Sequence, residues 1–152
     1  YGGQIQRYVE LMDEIGVRVL QDEAVVVEEN SGIPFYVLGR KDFTEEQMRG
    51  RRKSISELTS GLRKDLPAIL MDHQPRSLTE AADCDVDLLL CGHTHRGQFA
   101  PNHWITRALF ELDWGYMQKK QTHIIVSSGF GTWGPPLRLA SRSEVLAITL
   151  KI

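Results

Sequence analysis

Val86-Asp87-Leu88-Leu89-Leu90-Cys91-Gly92-His93-Thr94-His95-Arg96-Gly97-Gln98 is the stretch on which the reading of this chain turns. Val86–Cys91 is an almost unbroken apolar run, the pattern of a strand buried on both faces in a parallel sheet. A glycine follows the strand, and then two histidines separated by one residue. In layered α/β folds, functional side chains sit on the loops beyond the carboxyl ends of the strands. Imidazole nitrogens suit zinc, manganese and iron. In an extended His-x-His the two rings point to opposite sides. A tight turn would be needed to aim them at one ion or at two neighbouring ions.

The same pattern occurs one unit upstream. Ala68–Met71, after Pro67, reads as a short buried strand and runs into Asp72-His73-Gln74-Pro75. If the two strands are parallel, His73, His93 and His95 converge on one edge of the sheet. Between them Ser77-x-x-Glu80 fits a capping box for a helix to about Asp83. Thr44-x-x-Gln47 and Ser54-x-x-Glu57 fit the same box, the second continued by Ile55, Leu58 and Leu62.

At the amino end, Ile5, Tyr8, Val9, Met12 and Ile15 follow helical spacing up to Gly16. Val17–Leu20 then reads as a short strand. Ala24–Glu28 and Ile33–Gly39 read as a hairpin around Asn30-Ser31-Gly32. Residues 40–53, with Arg49, Arg51, Arg52 and Lys53, read as a solvated basic loop. Downstream, His123–Ser127 is another apolar strand, and the alternating Glu144–Leu150 reads as a closing, half-buried one. Strands alternating with helices imply α/β or α+β layering.

The 152 residues suit one domain. A net charge of −2 lacks the basic footprint of a nucleic-acid binder. No apolar run reaches the roughly 18–20 residues that cross a bilayer. Cys84 and Cys91 have no redox or zinc-knuckle spacing, and Cys91 reads as a buried free thiol.

With these residues in view, the chain resembles the calcineurin-like metallophosphoesterases. His73 matches their strand-terminal histidine, and Gly92-His93-Thr94-His95 their Gly-His-x-His. Gly92–Gln98 is similar to a bacterial subgroup found as membrane-associated or exported enzymes. Ser127-Ser128-Gly129-Phe130-Gly131-Thr132-Trp133-Gly134-Pro135-Pro136-Leu137-Arg138 resembles that subgroup's closing glycine-rich loop. The match is specific over about residues 66–150.

The resemblance implies part of a four-layer αββα sandwich, with mixed sheets flanked by helices. It implies two divalent ions (manganese, iron or zinc), His73 and His93 on one and His95 on the other. It implies hydrolysis of phosphomonoesters or phosphodiesters by a metal-activated water. The family's early motifs, Asp-x-His, Gly-Asp and Gly-Asn-His, are not in this sequence. In the subgroup Tyr-Gly-Gly commonly follows the last of these, and this chain begins Tyr1-Gly2-Gly3. Residues 1–152 are therefore read as one domain, the carboxyl-terminal part of a catalytic domain. The catalytic histidine is expected upstream, and little activity is expected from this chain alone. The compartment stays open between bacterial cytoplasm and membrane surface.

Other residues carry weaker expectations. Arg96 is a candidate for a substrate phosphate, against a plain surface arginine. Asp72 is a candidate partner for a metal-bound histidine, against a solvated loop carboxylate. His103 and His123 read as structural or exposed. Trp104, Leu109, Phe110, Leu112 and Trp114 read as core rather than as a greasy lip near a lipid. Gly129–Gly134 reads as a wall of the site.

Two other classes compete. One is a non-catalytic metal-binding or interaction domain built like a cupin, and the other is a structural domain with incidental histidines. An uncovered sheet face implies self-association as a two-fold dimer.

Overall fold

The computed structural model describes residues 5–28, 32–48 and 50–151. The Tyr1-Gly2-Gly3 start, Arg49 and the middle of the expected turn at residues 30 and 31 lie outside them. The elements are α1 (Ile5–Glu14), β1 (Glu23–Val27), β2 (Phe35–Gly39), α2 (Phe43–Gln47), α3 (Ile55–Thr59), β3 (Ala68–Met71), α4 (Leu78–Asp83), β4 (Leu88–Cys91), a 3-10 turn (His95–Gly97), α5 (Asn102–Leu109), β5 (Gly115–Lys119) and β6 (Thr122–Val126). The six strands form one mixed sheet in the order β1-β2-β3-β4-β6-β5. β2, β3, β4 and β6 run parallel, and β1 and β5 pair antiparallel at the two edges. This is the expected α/β class, a mixed sheet flanked by helices.

The parallel register decides where the core lies. Leu38, Leu70, Leu89 and Ile124 are paired across four strands and share one face, since residues in register point the same way. All four are buried, and Ile55 and Leu58 of α3 and Leu78 and Ala81 of α4 pack on them. Ser54 and Glu57 close the expected capping box on α3. At α4 the box does not form. Ser77 makes no cap bond with its side chain, and Glu80 instead accepts the Ile55 N–H at 2.6 Å. That bond ties α4 to the start of α3.

The structure corrects several expectations. Val17–Leu20 pairs with nothing and is a connector from α1 to β1. Glu144–Leu150 forms no ladder and its apolar residues are exposed rather than half-buried; Ile148 and Leu150 border a pocket against the face of the sheet and do not lie along a strand edge. Trp104 and Leu109 are not core: they are 67% and 66% exposed on the outer side of α5. Periodicity did not separate α5 from a buried cluster because it is short and apolar on its solvent side. β5, a polar-apolar edge strand, was also missed. Among the described residues there is a single sheet, so the second sheet of a four-layer sandwich is not in them. Cys91 is buried and unpaired, as expected, and burial pushes its thiol well above the usual range.

Candidate metal centre at the carboxyl edge of the sheet

All four parallel strands end on the same edge. Asp42 follows β2, His73 follows β3, His93 and His95 follow β4, and the glycine-rich loop follows β6. Backbone bonds continue the sheet past the strand ends. Asp72 N–H donates to Leu90 O, and Gly92 N–H donates to His73 O, each at 3.0 Å. These two bonds bring the residue after β3 alongside the residues after β4. His73 Nε2 and His93 Nδ1 consequently lie 3.2 Å apart, with the rings edge to face.

Asp72 does not serve the histidines. It is buried, receives Arg52 on both oxygens at 2.6 Å and receives Arg40 at 3.2 Å. Burial pushes its carboxyl up, opposed by the two guanidiniums. Arg52, expected in a solvated loop, is itself buried in this cluster. The cluster holds the residues between α2 and α3 down against the end of β3.

The turn after β4 is the strained part of the chain. His93, His95, Arg96, Gly97 and Gln98 all have positive φ. Left-handed backbone costs a non-glycine residue about 1–2 kcal/mol, so surrounding bonds must hold it. Thr94 Oγ1 donates to Asp113 O at 2.5 Å and accepts from Arg96 N. Gln98 exchanges two bonds with Trp133, donating to its carbonyl at 2.7 Å and accepting from its N–H at 2.6 Å. Gly97 lies flush against α5, and a methyl group there would overlap the backbone of Asn102 and His103. Gly92, by contrast, has open space around it and no positive φ. Gly97, and not Gly92, is the glycine this geometry needs.

The turn separates the two histidines. His93 faces His73, and Phe110 approaches its ring at 6.1 Å. His95 is turned toward the glycine-rich loop. Its Nδ1 lies 3.2 Å from an Arg138 amino group, and its ring also meets the Gly131 carbonyl. Arg138 additionally donates to the carbonyls of His95, Ser128, Gly129 and Gly131. Burial lowers the His93 pKa, with His73, Arg76 and His95 adding to this and Asp42 opposing it. Burial and the Arg138 charge lower that of His95. Both rings are therefore neutral near pH 7, the form that donates a lone pair.

Two imidazoles bound to one tetrahedral ion at about 2.0–2.1 Å place their nitrogens about 3.3 Å apart. The 3.2 Å spacing of His73 and His93 fits that demand. Among the described residues, however, no group of three or more His, Cys, Asp or Glu side chains is placed to hold an ion. The two nitrogens are hydrogen-bonded to each other at a spacing compatible with two positions on one ion, and His95 stands apart from the pair.

Arg96 stacks on Trp114 at 3.8 Å and borders a surface pocket of about 550 Å³ with Ser128, Arg142 and Glu144. His123 is exposed and bonded to Tyr116, and His103 meets the Trp104 ring edge to face, as structural or surface residues. Asp42 and Arg138 were missed from sequence. Asp42 accepts from Thr44 and Gln74 and senses the His73 charge. Burial raises its pKa, but these contacts outweigh it and hold the carboxyl below its usual value. The signal for Asp42 was its place just after β2, which a hairpin reading hid.

A histidine-lined carboxyl edge on a mixed, helix-flanked sheet defines a general class of α/β folds, and sequence relationships narrow it. The chain is 36% identical over 151 residues to an uncharacterized metallophosphoesterase of Aquifex aeolicus, covering 97% of this chain and 56% of that protein. It is 29% identical over 158 residues to a transmembrane protein with metallophosphoesterase domain of Danio rerio, covering 99% of this chain and 36% of that protein. It is 30% identical over 148 residues to an uncharacterized metallophosphoesterase of Helicobacter pylori, covering 96% and 39%. No protein-family description and no solved structure matches. The chain is related along nearly its whole length to the metallophosphoesterases, consistent with the carboxyl-terminal part of a calcineurin-like domain. It spans about half or less of the length of these relatives.

Proposed function

We propose that the chain supplies the late histidine ligands of a metal-dependent phosphoesterase that hydrolyses phosphomonoesters or phosphodiesters. The observation that carries this is the His73–His93 pair, two imidazoles whose ring nitrogens lie at ligand spacing on a strand-end edge. His73 and His93 would share one ion, and His95 would serve a second, with manganese, iron or zinc as the candidates. When bound, two such ions about 3.5–4 Å apart acidify a water and polarise a phosphoryl oxygen. The chain's own part is positioning. The bonds between the β3 and β4 ends fix the His73–His93 spacing, and Thr94 and Gln98 hold the turn that directs His95 elsewhere. Arg76, lying over the Phe110 ring at 5.1 Å, adds positive potential beside His93 for an anionic substrate.

None of the early motifs that would complete both metal shells is in this sequence. The chain alone is therefore expected to bind metal without turning over substrate. Isothermal titration with Mn2+ or Zn2+ should show binding that His93→Ala weakens strongly, and an aryl phosphate should remain uncleaved. Absence of any metal binding would sink the reading. Robust turnover lost in His93→Ala would overturn the inactivity.

A second reading is a non-catalytic metal-binding or interaction domain. It draws on the two-nitrogen donor set. A cupin-like barrel suits the helices on this sheet poorly, so the second reading stands without that fold.

A further inference from the structure

Arg138 uses its guanidinium unevenly. One amino group, Nη2, faces His95 Nδ1 at 3.2 Å, the Ser128 carbonyl at 2.8 Å, the Gly129 carbonyl at 3.0 Å and the Gly131 carbonyl, four acceptors for its two hydrogens. The other, Nη1, reaches the His95 carbonyl at 3.3 Å. Nε is buried and has no hydrogen-bond partner among the described residues. A buried N–H without a partner marks a pose that is not fully satisfied.

The contact also fixes the state of the ring. A guanidinium has donors and no acceptor, so Nδ1 of His95 must turn its lone pair to Arg138. The proton of the neutral ring is then on Nε2. Neither nitrogen is open to an ion. At Nδ1 the guanidinium is in the way. At Nε2 an ion would move the ring proton to Nδ1, where it would face a second donor. Access from solvent is not the limit, because His95 is only half-buried. His93 differs: its Nδ1 meets His73 Nε2, an imidazole nitrogen that can accept as well as donate.

We propose that Arg138 is the positioning residue of His95: it withholds the ring from an ion while it caps Nδ1, and its withdrawal both frees His95 to ligate and loosens residues 128–131. The coupling follows from one nitrogen holding the ring and the three loop carbonyls together. Thr94 and Gln98 hold the turn through other bonds and stay in place when Arg138 moves. If Nδ1 ligates, the proton stays on Nε2; if Nε2 ligates, the proton passes to Nδ1. This inference rests on the reading of His95 as a ligand of a second ion.

The test needs a probe that one imidazole can bind alone. Aquopentaammineruthenium(II) exchanges its single water for one ring nitrogen, and tandem mass spectrometry locates it. Exposed His123 is the internal reference. In the native chain His95 should label slowly relative to His123. Arg138→Met keeps the length and removes the donors, and it should speed labelling of His95 by at least about tenfold without changing His123. Arg138→Lys, which keeps a point donor and loses the fork, should fall between the two. Amide exchange at residues 128–131 should be faster in the labelled chain than in the unlabelled one.

Two measurements need no variant and decide the matter if Arg138→Met does not fold. Nitrogen NMR of the native chain at pH 8 should show His95 with its proton on Nε2 and Nδ1 bare; a proton on Nδ1 overturns the proposal. Loop exchange that does not respond to labelling overturns it as well, as does equal labelling of His95 in the native and Arg138→Met chains. Zn2+ titration of the His73–His93 pair stands apart from all of these. Its failure would sink the phosphoesterase reading while the hold of Arg138 on His95 was still measured by labelling and NMR.

Discussion

The two faces of the sheet are built to different standards. On one, Leu38, Leu70, Leu89 and Ile124 form a row sealed under α3 and α4. On the other, Ile69 and Leu88 are buried, but Met71 and Tyr116 are exposed. Segment 148–151 borders part of that second face, with a pocket of about 400 Å³ between it and the sheet, and Leu20 lies against Gly39. Stability of this chain therefore rests on one layer of contacts. The histidine edge lies where that well-packed layer ends, so its geometry depends on the sealed face more than on the open one.

The largest effect should come from cutting the sealed face and comparing it with the open one. Leu89→Ala removes a fully buried side chain and should cost about 3–5 kcal/mol. Ile125→Ala, on the partly covered face, should cost about 1–2 kcal/mol. Urea denaturation of both variants measures the gap. Equal losses would mean that the second face is as well packed as the first.

Next comes the turn at the edge. Gly97→Ala forces a side chain into left-handed backbone and into α5, at a cost of about 2–4 kcal/mol. Gly92→Ala should cost less than about 1 kcal/mol, because nothing surrounds that position. Metal titration of the two variants sharpens the point. Gly97→Ala should lose affinity by misplacing the histidines, and Gly92→Ala should keep it.

The sequence made the strands of the sealed face legible, because continuous apolar runs such as Leu88–Cys91 and Ala68–Met71 have few alternatives. Once those strands were taken as parallel, the meeting of His73 and His93 followed from topology alone. What was not legible depended on long-range partners. Arg52 looked solvated in a basic run, and only its burial against Asp72, twenty residues away, makes it structural. Trp104 and Leu109 look like core in any composition count, and only the orientation of α5 puts them outside. Arg138 is one arginine in a tail, and its tie to His95 spans 43 residues. The alternation in Glu144–Leu150 marks an apolar side, but Ile148 and Leu150 lie beside the sheet face and not along a strand edge.

Acid should weaken metal binding before it weakens the fold. The His93 and His95 pKa values both lie below the ordinary 6.5, His93 through burial and His73, His95 through burial and Arg138. Their neutral, ligating forms are complete above that value and are lost as the pH falls through the lowered ones. Affinity for Mn2+ should be nearly flat from pH 8 down to about 6.5 and fall once the pH passes through the lowered values, about tenfold per pH unit for each histidine that must release a proton. An affinity that stays flat after ring NMR shows both histidines protonated would show that neither ring is a ligand. Arg138→Gln should raise the His95 value by removing the neighbouring charge, and nitrogen NMR of the ring would register that without reference to activity.

The smallest effect belongs to the clasp over the open face. Glu144 accepts the Ser128 N–H at 2.6 Å, the Trp114 indole N–H at 3.0 Å and the Ser127 hydroxyl at 3.2 Å. These bonds anchor the start of the segment that runs on to residues 148–151 beside Ile69 and Leu88. Burial alone would raise the carboxyl, but the hydrogen bonds, led by that from Ser128, outweigh it and place Glu144 below its usual 4.5. A depressed carboxyl contributes stability that is fully present above about pH 4.5 and is lost as the pH falls through the lowered value. Glu144→Gln keeps the shape and removes the charge, so it should cost about 1 kcal/mol at pH 7. It should cost progressively less as the pH falls through the lowered value and the native carboxyl takes up its proton. If the segment covers the face only loosely, amide exchange at residues 145–150 will already be fast in the native chain and unchanged in the variant. Slow exchange that becomes fast in Glu144→Gln would show that this one carboxylate closes the open side of the sheet.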